Sequence, residues 1–144
     1  MREKVLIVDD ELNTREGLRT ALESDNRKVD IAADGVEAFE KFKKNGYDVI
    51  VTDIRMPEMD GMTLLKKIKE EDSSVGVIVL TAFGSIEMAV EAMKSGAYNY
   101  LTKPVNIDEL EVLIDQVFEK RRIELENEYH RERETTSTNF EGII

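Results

Sequence analysis

The chain has 144 residues, 41% of them hydrophobic and 35% charged, with a formal net charge of −11, which allows one domain with a packed core and a short appendage. So acidic a chain is a poor binder of nucleic acid, whose phosphates require a basic surface, and the absence of cysteine excludes disulfides and thiolate metal sites. No apolar stretch approaches the ~20 residues of a membrane span, and the N-terminus leads straight into an apolar run with no room for a signal peptide, so we expect a cytoplasmic protein.

Short apolar runs rich in β-branched residues alternate with amphipathic stretches along the chain. The runs predict strands at 5–8, 29–32, 49–52, 77–80 and 98–101. The stretches between them predict helices at 14–24, 36–44, 62–70 and 86–94, and a fifth helix begins near Ile107. Alternating strands and helices joined by short connections predict an α/β fold, a doubly wound five-stranded parallel sheet.

The predicted fifth helix is longer than the domain surface that could cover it. Its apolar stripe ends near Phe118, and charged residues then dominate, so we expect the helix to project beyond the globule. A polar stretch at 135–139 predicts a break, and an apolar segment follows it at 140–144. These features divide the chain into a domain at 1–120, a helical linker with a polar break at 121–139, and the start of a truncated downstream domain at 140–144.

Carboxylates follow two of the predicted strands. Asp9 and Asp10 end the first apolar run, and Asp53 ends the third. In a parallel sheet these positions meet at one edge, where doubly wound folds bind ligands. Two carboxylates at ~4 Å repel by about 4 kcal/mol at an effective dielectric of ~20, so the cluster requires a cation. Oxygen ligands with open positions favour Mg²⁺ and phosphoryl chemistry.

A hydroxyl and an ammonium group end two further strands. Thr81 follows the fourth apolar run, and Lys103 follows the fifth. Asp53 is the candidate nucleophile, which would form an acyl phosphate, and it needs no histidine base because a carboxylate is ordinarily ionised at pH 7. Mg²⁺ would neutralise charge on the transferring group, while Thr81 and Lys103 would bind its oxygens.

Four motifs together resemble the receiver domain of bacterial two-component response regulators, over residues 4–120. They are VDDE at 8–11, TDIRMPEMDG at 52–61, LTA at 80–82 and LTKP at 101–104. The resemblance implies a flavodoxin-like or CheY-like fold that takes phosphate on Asp53 from a sensor histidine kinase. Receivers catalyse their own phosphoryl transfer and autodephosphorylation, although they are not conventional enzymes.

The resemblance also implies a metal site and a switch. The metal ligands would be the Asp9, Asp10 and Asp53 side chains and the Arg55 backbone carbonyl. Thr81 and Lys103 would contact the phosphoryl group. Tyr100 would be the aromatic residue that turns inward on activation, and the peptide bond before Pro104 would be cis.

The stretches TAFGSI at 81–86 and AVEAMKSGAYNYL at 89–101 are similar to the NtrC-type sigma-54 activators. In that group a helical linker joins the receiver to an AAA+ ATPase, and FEGII at 140–144 resembles the opening of that domain.

We also predict a homodimer through the fifth helix and its extension. Phe118 and Leu125 are separated by a heptad step and would form a short seam with Tyr129.

Three alternatives remain at this stage. A stand-alone receiver acting by protein contact, like CheY, would share the same chemistry. An aspartyl-nucleophile phosphatase of the haloacid dehalogenase type would need an acid two residues after its nucleophile, where this chain has Arg55. A nucleotide-binding domain would need a Gly-rich loop after the first strand, where Asp9 and Asp10 would repel phosphate.

Overall fold

The computed structural model describes residues 3–56, 59–82 and 86–141, with side chains as far as residue 124 and at residue 126. Strands and helices alternate through these ranges. In chain order they are β1 (Glu3–Val8), α1 (Leu12–Leu22), β2 (Arg27–Ala32), α2 (Gly35–Asn45), β3 (Val49–Asp53), α3 (Gly61–Glu71), β4 (Gly76–Thr81), α4 (Ile86–Lys94), β5 (Asn99–Thr102) and α5 (Ile107–Glu141).

The sheet is parallel throughout and has the strand order β2-β1-β3-β4-β5. The predicted five-stranded doubly wound fold is therefore confirmed. Because the chain leaves β1 for β2 on one side and continues from β3 on the other, the strand order reverses between β1 and β3. Such a reversal opens a crevice beyond the carboxyl ends of these two strands.

Alternate residues of the central strands build two cores, one on each face of the sheet. Leu6 and Ile50 pack with side chains of α2, α3 and α4. Val5 and Val49 pack with side chains of α1 and α5. Strands β3 and β4 are buried along their whole length, as strands covered on both faces should be. This burial holds the strand ends, and the side chains they carry, in fixed positions.

Side-chain caps begin α2 and α3, as one from Asn106 begins α5. The Asp34 carboxylate accepts a hydrogen bond from the Glu37 backbone N–H at 2.8 Å, and Asp60 accepts one from Thr63 at the same distance. Each cap satisfies a donor that the first turn of a helix leaves unpaired. Helix α3 therefore starts at a defined residue immediately after the loop that follows β3.

Helix α5 is attached to the sheet through two arginines. Arg27 lies 3.0 Å from Glu3 and 2.6 Å from Asp115, and its guanidinium carbon lies 5.9 Å from the centre of the Phe118 ring. On the other side, Arg121 Nη1 lies 3.5 Å from Asp48 Oδ1. The last turn of α5 that contacts the domain is thus held by charged groups as well as by apolar packing.

Helix α5 continues to Glu141, so the polar break predicted at 135–139 is not present in the backbone. No glycine or proline lies between residues 107 and 141 to end the helix. Threonine, serine and asparagine each disfavour a helix by only about 0.7 kcal/mol or less. The domain limits at 120 and 139 stay predictions, and the apolar segment at 140–144 is described only at its first two residues.

No helix among the described residues combines the length and the apolar character that crossing a bilayer requires.

Candidate functional site

The predicted carboxylates meet at the carboxyl edge of the sheet. Asp9 follows β1 and Asp53 ends β3, and these strands are paired neighbours, with Val8 opposite Thr52. Carboxylate oxygens of Asp9, Asp10 and Asp53 all lie within 4.8 Å of one another. Asp9 is fully buried and Asp53 is 8% exposed, whereas Asp10 is exposed. The cluster is therefore walled in by protein on one side and open to solvent on the other.

Lys103 neutralises part of this cluster. Its Nζ lies 2.8 Å from Asp9 Oδ2 and 2.7 Å from Asp53 Oδ2. Burial of the ammonium would by itself lower its pKa, but hydrogen bonds and negative charge from Asp53 and Asp9 outweigh burial and raise the pKa of Lys103 above its ordinary value. The Lys103 backbone N–H also donates to the Thr81 carbonyl at 2.8 Å. This bond attaches the start of the loop between β5 and α5 to the end of β4.

Backbone groups hold the second oxygen of each buried carboxylate. Asp9 Oδ1 accepts from the Glu11 N–H at 2.9 Å, and Asp53 Oδ1 accepts from the Arg55 N–H at 3.1 Å. Sequence reasoning missed Arg15, whose Nη1 donates to the Asp9 carbonyl at 2.8 Å. No sequence pattern identified this contact, because it depends on how the first turn of α1 packs beside the loop.

The close packing of α3 against β3 also shapes the site. A Cβ on Gly61 would overlap the Asp53 carbonyl oxygen and would lie only 2.7 Å from Ile54 Cα. The Gly61 N–H donates to the Ile54 carbonyl at 3.0 Å. Only glycine allows this approach, so Gly61 helps to place the strand end that carries Asp53.

The remaining site predictions have different surroundings. Thr81 is buried at the end of β4, one residue beyond Leu80, which pairs with Asp53. Tyr100 on β5 is 37% exposed, so its ring lies at the surface. The Lys103–Pro104 peptide bond is cis, the geometry that the resemblance implies.

One of the three residues predicted for the dimer seam, Phe118, makes contacts within the chain. Phe118 packs against the core shared by α1 and α5 and lies beneath Arg27, so much of its surface is already used within the chain. The side chains of Leu125 and Tyr129 lie outside the described residues. Ile123 is 42% exposed and is the large apolar side chain that the structure presents near the start of the extension.

The acidic cluster fits a small hard cation. Mg²⁺ prefers oxygen ligands at 2.0–2.1 Å, so opposite ligands stand about 4.2 Å apart. The three carboxylate oxygens are separated by at most 4.8 Å and would need only a small adjustment to share one ion. The exposure of Asp10 leaves room for water at further coordination positions.

Asp10→Asn is expected to stabilise the metal-free protein by about 0.5 kcal/mol, because it removes an exposed member of a carboxylate cluster that Lys103 neutralises only in part. The same change should weaken Mg²⁺ binding. Urea denaturation with a chelator and with Mg²⁺ measures both effects, with exposed Asp25→Asn as the control. Lower metal-free stability than the control would show that repulsion at Asp10 is not significant.

Comparison with known proteins places the chain among signalling domains. The family model described as the response regulator receiver domain matches residues 5–115. The chain is 38% identical over 119 residues to the transcriptional regulatory protein ZraR of Klebsiella oxytoca, covering 83% of this chain and 27% of ZraR. It is 35% identical over 141 residues to the regulatory protein AtoC of Escherichia coli, covering 98% of this chain and 31% of AtoC. The chain thus spans about three-tenths of the length of these relatives.

Solved structures agree with the family match. A response regulator receiver domain from Clostridium thermocellum superimposes with a TM-score of 0.80 at 34% sequence identity. The superposition covers 84% of this chain and 98% of the Clostridium chain.

Proposed function

Because this chain belongs to the response regulator receiver family, we propose that it accepts a phosphoryl group on Asp53 from a sensor histidine kinase, with Mg²⁺ as the cofactor. The observation that carries the proposal is the contact of the Lys103 ammonium with both Asp9 and Asp53. This arrangement presents a carboxylate nucleophile and a cation for phosphoryl oxygens at one solvent-facing edge.

In the proposed reaction an Asp53 oxygen attacks phosphorus, and the bond from phosphorus to the leaving group breaks as the new P–O bond forms. When bound by Asp9, Asp10, Asp53 and the Arg55 carbonyl, Mg²⁺ would neutralise charge on the transferring group. Lys103 can release Asp53 without leaving the site, because Asp9 also holds its ammonium. The freed N–H can then bind a phosphoryl oxygen.

Incubation with acetyl phosphate and Mg²⁺ should attach one phosphoryl group, and peptide mapping should place it on Asp53. Asp53→Asn should abolish the labelling, since the amide is not a nucleophile of comparable strength. Exposed Asp25→Asn is the matched control and should label as the wild type does. Equal labelling of the Asp53→Asn protein would assign the phosphoryl group to another residue.

The phosphatase alternative gains no support from the site. Arg55 occupies the position where that class needs an acid, and its backbone N–H donates to Asp53 Oδ1. A guanidinium group cannot protonate a leaving alkoxide in the way that a carboxylic acid does. The receiver function is therefore the one that the geometry favours.

We propose a switch in which Tyr100 moves inward when Asp53 is phosphorylated. Thr81 is buried at the end of the strand beside Asp53, and Tyr100 is exposed on the next strand. Movement of the Thr81 hydroxyl towards the phosphoryl group would vacate space that the Tyr100 ring can enter. Such a change is a shift between two packings that both exist before phosphorylation.

We also propose that this receiver controls an attached AAA+ ATPase of the sigma-54 activator type, in a longer protein that regulates transcription. The support is the similarity to ZraR and AtoC, which are named as regulatory proteins and of which the matched region makes up 27% and 31%. The complete reading frame distinguishes this arrangement from a stand-alone receiver.

The homodimer is proposed to form through α5 and its extension, with Ile123 replacing Phe118 as the testable contact. A micromolar dimer corresponds to about −8 kcal/mol. Ile123→Glu should weaken association at least about tenfold, or ~1.4 kcal/mol, in sedimentation experiments with and without beryllofluoride. Val36→Glu on α2 is the matched control, because Val36 is 41% exposed. Identical behaviour of the two variants would place any dimer contact elsewhere.

A further inference from the structure

Thioethers are the oxidisable sulfur groups of this protein, because the chain has six methionines and no cysteine. Several of them lie near the carboxyl edge of the sheet, where Asp53 is found. Met56 and Met59 belong to the loop after β3, Met62 is in the first turn of α3, and Met88 is in the first turn of α4. Sulfur chemistry in this protein would therefore act close to the phosphoacceptor.

Met56 has the most direct connection to Asp53. Its sulfur lies 4.0 Å from the Thr52 hydroxyl oxygen, and the same hydroxyl lies 2.9 Å from the Asp53 backbone carbonyl oxygen. Thr52 is fully buried, whereas Met56 is only partly buried where it packs against the core. The Met56 side chain is thus partly open to solvent, and its sulfur contacts a buried hydroxyl next to Asp53.

We propose that Met56 is a site of reversible oxidation by peroxides and that its sulfoxide impairs phosphorylation of Asp53. The sulfur attacks one peroxide oxygen, the S–O bond forms as the O–O bond breaks, and water leaves after proton transfer. The thioether loses two electrons and hydrogen peroxide gains them. The product is a polar sulfoxide, which methionine sulfoxide reductases convert back to the thioether.

The sulfoxide oxygen is a much stronger hydrogen-bond acceptor than a thioether sulfur. It would compete with the Asp53 carbonyl for the single proton of the Thr52 hydroxyl. The sulfoxide must also leave the apolar contact that the Met56 side chain makes with the core. Both changes would move the strand end and the loop that position the Asp53 carboxylate. This part of the inference rests on the proposed phosphoacceptor function.

Two other methionines, Met93 and Met62, serve as comparisons for the effect of oxidation on Asp53 phosphorylation. Met93, at the end of α4, is 41% exposed and should oxidise at least as readily as Met56. Met62 is 8% exposed, so its sulfur is shielded by the core. Loss of phosphorylation should therefore follow oxidation of Met56 and be independent of Met93.

The test treats the wild type, Met56→Leu and Met93→Leu with graded hydrogen peroxide. Peptide mass spectrometry measures each sulfoxide, and acetyl phosphate labelling measures the phosphorylation rate. NMR of the Asp53 amide gives a readout that does not require phosphorylation. Leucine suits the control because it conserves volume and cannot be oxidised.

The labelling rate of the wild type and of Met93→Leu should fall about fivefold in proportion to Met56 sulfoxide, which corresponds to ~1 kcal/mol in activation free energy. The labelling rate of Met56→Leu should not fall on peroxide treatment. A methionine sulfoxide reductase should restore the labelling rates of the wild type and of Met93→Leu. An equal loss in Met56→Leu, or an unmodified Met56 when Met93 is fully oxidised, would overturn the proposal. Absence of labelling before peroxide treatment would contradict the phosphoacceptor function instead. In that case a shift of the Asp53 amide upon oxidation supports the Met56 proposal, and no shift overturns it.

Discussion

Lys103→Met is expected to destabilise the metal-free protein by about 2 kcal/mol at pH 7. The change leaves Asp9 and Asp53 without the ammonium that lies 2.8 and 2.7 Å from them. Loss of one partner from a fully buried pair costs roughly 3–5 kcal/mol, and the partial exposure of Lys103 reduces this figure. Labelling of Asp53 should fall about 100-fold, because a cation for the phosphoryl oxygens is removed.

Mg²⁺ separates the two roles of Lys103. Saturating Mg²⁺ should restore much of the stability of Lys103→Met, since it supplies positive charge to the same carboxylates, but it should not restore the labelling rate. Because the pKa of Lys103 is raised in the folded protein, its contribution to stability is complete below the ordinary value of 10.5 and disappears only as the pH rises above it. Experiments at pH 7–8 therefore measure the full effect.

Urea denaturation with and without Mg²⁺ is the measurement, and Lys66→Met on the exposed side of α3 is the matched control. Equal metal-free stability of Lys103→Met and the control would show that Asp9 and Asp53 do not depend on the ammonium.

Gly61→Ala and Gly17→Ala should change stability in opposite directions. A Cβ on Gly61 would overlap backbone atoms of Asp53, and backbone cannot move as a flexible side chain can. We expect a loss of about 2 kcal/mol and slower labelling of Asp53. Gly17 lies within α1 and its added Cβ would meet no atom within 4 Å. Alanine there should stabilise the protein by about 0.5–1 kcal/mol.

Thermal or urea unfolding of the two variants tests this pair directly, and each serves as the control for the other. A stable, rapidly labelled Gly61→Ala protein would mean that the loop after β3 can move away from α3 without displacing Asp53.

The interiors and carboxyl ends of the strands could be predicted from the sequence, but the starts of β1 and β2 could not. Continuous apolar runs identify β1, β3 and β4, because burial on both faces selects such residues. Strands β2 and β5 carry polar residues among the apolar ones and are buried only in part. The observed β1 and β2 begin earlier, at Glu3 and Arg27, which pair with each other across the sheet and are joined by an ion pair. Charged residues carry no strand signal, so an apolar pattern omits them.

The candidate site was predictable to the extent that it depends on strand ends. The fold brings Asp9, Asp10, Asp53 and Lys103 together because all of them follow or end parallel strands. The contacts of Arg15 and Gly61 depend on the packing of neighbouring helices and had no sequence signal. Heptad spacing alone predicts Phe118 in a dimer seam, but spacing cannot show that Arg27, far away in the sequence, covers its ring.

The two arginines that hold α5 give the helix the mechanics of a lever. Arg27 of β2 pairs with Asp115 of the helix, and Arg121 of the helix pairs with Asp48 before β3. The helix then continues for 20 residues from Arg121 to Glu141. At 1.5 Å per residue this arm is about 30 Å long. A tilt of ~5° where the helix is attached to the domain would displace its far end by about 2.6 Å. Small rearrangements of the sheet could thus be magnified at the tip before any contact there is made or broken.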